Sequence, residues 1–381
     1  MTDYPTNPKD WALVRAAGAG GWSAPVLWFD RAGLALGAGA LLFLVPLLYQ
    51  AGVLDLSQVN QLGRYCALAL VAIGLDLVWG YTGILSLCQA LFFTLGGYAF
   101  GMYLCMHGPM DGEGIPRALY VVSSEVSGMH LPWFWAPFDS PWFALLAVAA
   151  VPGIAAFLFS YFAFRSRIKG VYFSIITQAV TIAAWLMFCR NDLQLCGTNG
   201  LTNFTHVFGA DLREPGSKLG LYLASVLAML AACAFALWLT RTRFGRILVA
   251  VRDSESRLRF AGYSPVWYKT AVFTIAAILG AVGGALYTPQ TGIVTPANMA
   301  AIESIWVVVW VAVGGRGTVV GAVVGCLVIK LIESKLTTIL PDYWMAIIGS
   351  IFVGVVLFMP DGIVGQWRRL VGALRTAKGT P

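Results

Sequence analysis

Ser174, Thr177, Gln178 and Thr181 fall at i, i+3, i+4 and i+7, so a helix through them turns four hydrogen-bonding side chains to one side. Thr82, Ser86 and Gln89 flank Gly83 in the stretch Trp79-Gly80-Tyr81-Thr82-Gly83-Ile84-Leu85-Ser86-Leu87-Cys88-Gln89, and Asn199 lies in Cys196-Gly197-Thr198-Asn199-Gly200. Hydroxyls and carboxamides donate and accept hydrogen bonds without carrying charge. They can pass a small polar solute from one to the next, but they supply no activated nucleophile and no acid/base pair. Thr82, Ser86, Gln89, Thr177, Gln178, Thr181 and Asn199 are therefore the candidate lining of a solute path. A path for ions or protons usually shows several buried acids or bases. Here only Asp76, Glu303 and Lys330 interrupt otherwise apolar runs.

Other chemistries lack their residues. His107, His130 and His206 have no acidic neighbour at ligand spacing, and the seven cysteines form no CxxC pair. No GxxxxGK[ST] loop is present to cradle nucleotide phosphates. The reading is a chain with no metal, disulfide or cofactor of its own; if ATP drives it, another subunit binds the ATP.

A second constellation is charged. Phe244, Ile247, Leu248 and Val251 mark one face of a helix, and Asp253 with Arg257 and Glu255 with Arg259 are acid-before-base pairs at i, i+4. Gly262 and Pro265 then supply stop signals. This predicts a short amphipathic helix in which Arg252, Asp253, Glu255, Arg259 and Gly262 are candidates for docking on a motor subunit. The competing reading is a basic helix resting on anionic lipid.

The elements that position these residues must lie in a membrane. Of 381 residues, 59% are hydrophobic and only 11% charged, against roughly a quarter charged in globular domains. A bilayer core needs roughly 20 apolar residues per helix. Runs at 34–54, 84–106, 141–164, 171–189, 219–240, 270–287 and 343–359 hold no charged residue. Weaker runs at 65–79, 302–313 and 318–332 hold Asp76, Glu303 and Lys330 respectively. The predicted fold is an all-α, polytopic transmembrane helical bundle of about ten spans.

With both termini cytoplasmic, most of the 25 lysines and arginines fall on the inner side, as cytoplasmic loops demand. The net charge of +7 is then a topology signal and not a sign of nucleic acid. Trp133, Trp135, Trp142 and Trp344 mark the outer interface, and Trp28, Trp79, Trp267 and Trp367 the inner one. The expected organisation is a cytoplasmic segment 1–31 without a cleaved leader and a transmembrane permease domain 32–360. That domain carries an inner loop at 241–269 and periplasmic loops at 107–140 and 190–218, and a cytoplasmic tail 361–381 follows.

Thr82-Gly83-Ile84-Leu85-Ser86 resembles Thr291-Gly292-Ile293-Val294-Thr295, 209 residues further on. In a five-plus-five duplication the two places correspond, and an odd number of spans per half inverts the second half, as in inverted-repeat transporters with broken helices. Gly97/Gly101, Gly280/Gly284 and Gly317/Gly321/Gly325 recur every four residues, a spacing for close helix packing and a candidate seat for a second permease subunit.

The segments WGYTGILSLCQALFFTLGGYAFGMYL, FRSRIKGVYFSIITQAVT, CGTNGLTNF, AVRDSESRLRFAGYSPVWYK and VGGRGTVVGAVVG, in this order, resemble the permeases of branched-chain amino acid ABC importers, over about residues 65–365. FFTLGGYAFGMYL, LPWFW and AFRSRIKGVYFSIITQA look most like the urea-transporting branch. The resemblance implies a bacterial inner-membrane protein paired with a second homologous permease in a heterodimer. Its implied partners are two cytoplasmic ATPase subunits that carry ATP and Mg, and a periplasmic urea- or amino-acid-type binding protein. Residues 244–262 would be the coupling helix, although Glu255 precedes Gly262 by seven residues where the EAA-x-x-x-G pattern of other importers has six. Urea, small and uncharged, suits the neutral polar inventory. The alternatives are branched-chain amino acids or a short amide, an ion-coupled carrier acting alone, and a membrane enzyme.

Overall fold

The structure is a computed structural model and describes residues 37–110, 116, 119, 131–168, 170–359 and 362–366. Segment 1–31, most of the tail 361–381 and much of the loop 107–140 lie outside the described residues.

Every apolar run becomes a helix. In chain order these are α1 (Gly37–Gln50), α2 (Leu56–Thr82), α3 (Gln89–Met106), α4 (Pro141–Arg165), α5 (Val171–Phe188) and α6 (Pro215–Arg241). The amphipathic α7 (Arg243–Phe260) precedes α8 (Pro265–Thr291), α9 (Ala301–Gly314), α10 (Val319–Ile339) and α11 (Trp344–Phe358). Starts and stops follow local chemistry. Asp55 and Gln58 form a capping box at the start of α2. Prolines open α4, α6 and α8, where a missing N–H costs nothing.

Six of these helices, α2 to α6 and α8, are long and apolar enough to cross a membrane, and a seventh span arises if α9 and α10 count as one broken span bent by 115°. The sequence count of about ten thus divides into six full-length helices, the bent pair and the short α1 and α11. The 14 residues of α9 fall short of the roughly 20 that a bilayer core requires.

The helices α2 and α8, each of 27 residues, form the centre. Gly74 of α2 faces Ala276 of α8, and Gly283 of α8 faces Ala67 of α2, so the two run antiparallel. Both approaches bring backbone to backbone; a Cβ on Gly74 would stand 2.7 Å from the Ala276 carbonyl oxygen. A glycine closes each helix in the left-handed region, Gly83 at φ 73° and Gly292 at φ 76°. Because the helices are antiparallel, the two breaks that follow lie at opposite ends of the bundle.

Around this centre, α3 and α4 pack on one side of α8, and α6, α9 and α10 gather on α2. The outer faces of α4, α5 and α6 carry exposed Trp142, Ile154, Phe162, Ile175, Leu186 and Trp238, the surface expected of helices that meet lipid. The glycine ridges are used within the chain: Gly284 packs on the Phe93 backbone, and Gly325 on Gly314. Two short strands tie the loop between α5 and α6 to the second break, β1 (Leu201–Thr202) pairing antiparallel with β4 (Ile293–Val294). A second small pair, β2 (His206–Val207) with β3 (Ala210–Asp211), folds the rest of that loop.

Candidate functional site

The first break, residues 84–88, leaves backbone polar groups without helical partners inside an apolar bundle. Such groups must be satisfied within the protein. The hydroxyl face of α5 does this. Ser174 Oγ donates to the Leu85 carbonyl at 2.8 Å, and Leu87 N–H donates to Thr177 Oγ1 at 3.0 Å. Thr181 Oγ1 reaches the Leu87 carbonyl at 3.2 Å and the Thr177 carbonyl of its own helix at 2.9 Å. All three hydroxyl residues are buried. The i, i+3, i+7 spacing puts the three hydroxyls on one face, and that face meets the first break as a clamp on backbone and not as an open lining.

Thr82 Oγ1 donates back to the Val78 carbonyl at 2.6 Å, and Ser86 Oγ lies 3.3 Å from Cys88 Sγ. Gln89 is fully buried with neither amide atom hydrogen-bonded among the described residues, and Gln178 Oε1 is likewise without a partner there. Asn199 stands apart. It is exposed in a turn just before β1, the strand that pairs with β4 of the second break.

The charged constellation folds around a kink. Ser254 has extended backbone (φ −163°, ψ 91°), which splits α7. The kink disrupts the i, i+4 geometry that Asp253 and Arg257 need, and Asp253 turns instead to Arg252 at 3.2 Å. Glu255 does pair with Arg259, and its other oxygen takes Lys269 Nζ at 2.8 Å. Lys269 is buried near the start of α8, over the Phe164 ring of α4. Glu255 thus clasps α7 to the bundle and does not point outward. Gly262, at φ 86°, ends α7 as the stop signal predicts. Phe260, one residue before that turn, is 93% exposed.

Arg252 reaches furthest inward. Its Nη1 donates to the Gly80 carbonyl at 3.0 Å, in the last turn of α2, and its Cγ lies against Gly83. The same end of α2 holds the α9–α10 bend: Gly317 N–H donates to Asp76 Oδ1 at 2.6 Å, and Arg316 lies over the Trp79 ring. Sequence spacing could not show these latches, since Asp76 and Gly317 are 241 residues apart. It also missed a cavity in which Arg64 of α2 meets Lys330 and Glu333 of α10. Among the described residues no cluster of His, Cys, Asp or Glu could hold a metal ion, and His107 comes within 3.9 Å of Asp139.

The described residues thus form a bundle of apolar helices long enough to cross a membrane, with two glycine-ended breaks and an amphipathic helix packed against the first of them. Residues 49–356 match the family described as the branched-chain amino acid transport system permease component, and the chain belongs to that family. It is similar to the high-affinity branched-chain amino acid transport system permease protein LivM of Salmonella typhimurium, at 24% identity over 85% of this chain and 72% of the relative. It is also similar to the fructose import permease protein FrcC of Rhizobium meliloti, at 22% identity over 67% of this chain and 70% of the relative. A shorter match reaches the autoinducer 2 import system permease protein LsrC of Yersinia enterocolitica, at 27% identity over 39% of this chain and 44% of the relative. No solved structure matches.

The chain is accordingly a multi-pass membrane permease of the ABC importer type and not an enzyme. The comparisons favour the amino acid reading over urea, and the geometry removes one support for urea, because the hydroxyls of α5 are engaged by the backbone of the first break.

Proposed function

We propose that this chain forms half of the pore of an ATP-driven bacterial inner-membrane importer for branched-chain amino acids, opening and closing by alternating access. It pairs with a second homologous permease, takes cargo from a periplasmic binding protein, and is moved by two cytoplasmic ATPase subunits that carry the ATP and Mg. The observation that carries this reading is the contact of Arg252 on α7 with the Gly80 carbonyl, because it links a helix suited to a motor subunit directly to the interrupted end of α2. Phe260 is the knob that enters an apolar socket on the ATPase, with Arg259 beside it.

In the membrane the chain makes ten crossings with both ends cytoplasmic, α9 and α10 each serving as one arm. The halves form an inverted five-plus-five repeat. The equal length of α2 and α8, their antiparallel packing and their shared Thr-Gly-Ile exit support this. The cytoplasmic segments are 1–31 and 361–381.

The test is competition between labelled leucine and urea for ATP-dependent uptake by proteoliposomes holding this chain, its partner permease and both ATPases. Leucine uptake that urea does not reduce is the expected result. Uptake by this chain alone, abolished by collapsing an ion gradient, would overturn the importer reading.

A further inference from the structure

Between α4, α6 and α8, beside the β2–β3 hairpin, lies an apolar groove of about 600 Å3, in the middle of the range typical of small-molecule sites. Ser217 is the one polar side chain on its wall among the described residues. The wall follows α6 from Ser217 to Ala228, about 16 Å at the helical rise of about 1.5 Å per residue, which matches half of a bilayer core of about 30 Å. The groove therefore has the depth of one leaflet, the leaflet on the hairpin side. It opens toward lipid, because Leu145 of α4 and Gly220 and Ala224 of α6 line it and are exposed.

Two features of its rim indicate what fills it. The hairpin turns through Phe208 at φ 49° and Gly209 at φ 84°. A two-residue turn with both φ angles positive favours Asn-Gly, and a phenylalanine held there is strained. That conformation places the Phe208 ring on the groove wall while 57% of the residue stays exposed, 5.5 Å from the Tyr103 ring and 6.0 Å from the Phe100 ring. A ring so placed gains by contact with hydrocarbon and loses by contact with water. The second feature is charge. Asp211, Arg213, Glu214 and Lys218 flank Leu212 and Ser217, which are both on the wall. Asp211 Oδ1 accepts the Arg213 backbone N–H at 2.8 Å, and none of the four side chains makes an ion pair among the described residues. Two charges of each sign above an apolar slot of one leaflet's depth complement a headgroup that carries both a phosphate and an ammonium group.

We infer that this groove binds a zwitterionic phospholipid, with one acyl chain lying along α6 and the headgroup on the rim. Arg213 and Lys218 face the phosphate, Asp211 and Glu214 the ammonium group, and Phe208 covers the top of the chain. The inference rests on the membrane placement of the helices and is independent of the cargo.

Photolabelling of the full-length chain in liposomes of equal parts phosphatidylethanolamine and phosphatidylglycerol tests it. A trace of either lipid carries a diazirine in the middle of one acyl chain, and the adducts are mapped by mass spectrometry. Val148 and Ala285 line the groove yet are hardly exposed, so lipid that merely surrounds the bundle does not reach them. Adducts at these two residues are expected, about two- to five-fold stronger from the phosphatidylethanolamine probe, the scale of exposed charge pairs. Ala224→Phe, which fills the groove from its exposed wall, should lower them at least about ten-fold, on the scale of one buried apolar side chain. Ala231→Phe, on the exposed side of α6 away from the groove, should leave them unchanged. The comparison of probes on the unaltered chain decides the matter even where a variant fails to fold. Adducts confined to exposed residues would mean surrounding lipid only, or a groove filled by the chain itself, and would overturn the site. Equal labelling by the two probes, or adducts at Val148 and Ala285 that persist in Ala224→Phe, would overturn it as well.

Discussion

Arg252 of the amphipathic helix donates a hydrogen bond to the carbonyl oxygen of Gly80, three residues before the glycine that ends α2. That carbonyl lies in the last helical turn, where backbone acceptors lack intrahelical donors and a cation is favourable. Replacing Arg252 with Ala should leave the assembly and its ATP hydrolysis in place while lowering transported solute per ATP by about ten-fold, on the scale of one charged hydrogen bond. Arg252→Lys should recover part. Uptake and hydrolysis measured on the same proteoliposomes give the ratio, and an unchanged ratio in the Ala variant would refute the coupling role.

Glu255 and Lys269 form a largely buried pair joining α7 to α8. Removing one member strips the other of a charged partner inside the fold, which costs more than removing both. Glu255→Gln should destabilise the chain by about 2 kcal/mol, and adding Lys269→Met should recover much of it. Thermal unfolding in detergent of the single and double variants measures the difference; strict additivity would contradict the pairing.

Thr177 accepts the Leu87 N–H from the first break. In Thr177→Val that buried donor loses its acceptor, for a cost of about 1–3 kcal/mol, whereas Thr177→Ser keeps it. A stability ranking of wild type, Ser, then Val is expected. Equal stability of the Val and Ser variants would show that the hydroxyl is not clamping the break.

A side chain on Gly284 would collide with the Phe93 backbone, while one on Gly220 meets nothing within 4 Å. Gly284→Ala should therefore abolish folded yield by fluorescence-detected size exclusion, and Gly220→Ala should match wild type. A monodisperse Gly284→Ala protein would mean that α3 and α8 can separate without loss.

Burial pushes the Cys196 thiol in the loop between α5 and α6 up to about 12, so it stays protonated at neutral pH. Thiolate is the reactive form. An impermeant maleimide should leave Cys196 unlabelled at pH 7 while labelling a cysteine placed at exposed Thr198. The Cys196 rate should rise only as pH climbs toward 12, and rapid labelling of Cys196 at pH 7 would show that the loop opens.

Sequence reasoning reached the elements because membrane helices announce themselves through run length. Gly262 was legible as a stop, and Gly83 and Gly292 as the matching glycines of two similar stretches; all three adopt the left-handed conformation. The spacing of Ser174, Thr177 and Thr181 located a polar face, but not its partner, since hydroxyls serve backbone and solute equally well. The kink at Ser254 was hidden, because Asp253 and Arg257 keep helical spacing in the sequence whether or not the backbone between them is helical. The cavity was hidden more deeply. Lys330 read only as an intruder in an apolar run, and nothing in the spacing tied it to Arg64; the packing of α2 beside α10 puts them on one wall.

The locking of α2 onto α8 through glycine contacts makes those two helices a stiff crosspiece. One end of this unit is the α2 terminus that Arg252 holds, and the other is the α8 terminus that runs into β4, stitched to the loop between α5 and α6. In the proposed importer, the strand pair there would feel a motor stroke delivered at the Gly80 end, and a tug on that loop by an arriving cargo carrier would reach Arg252 through the same two helices.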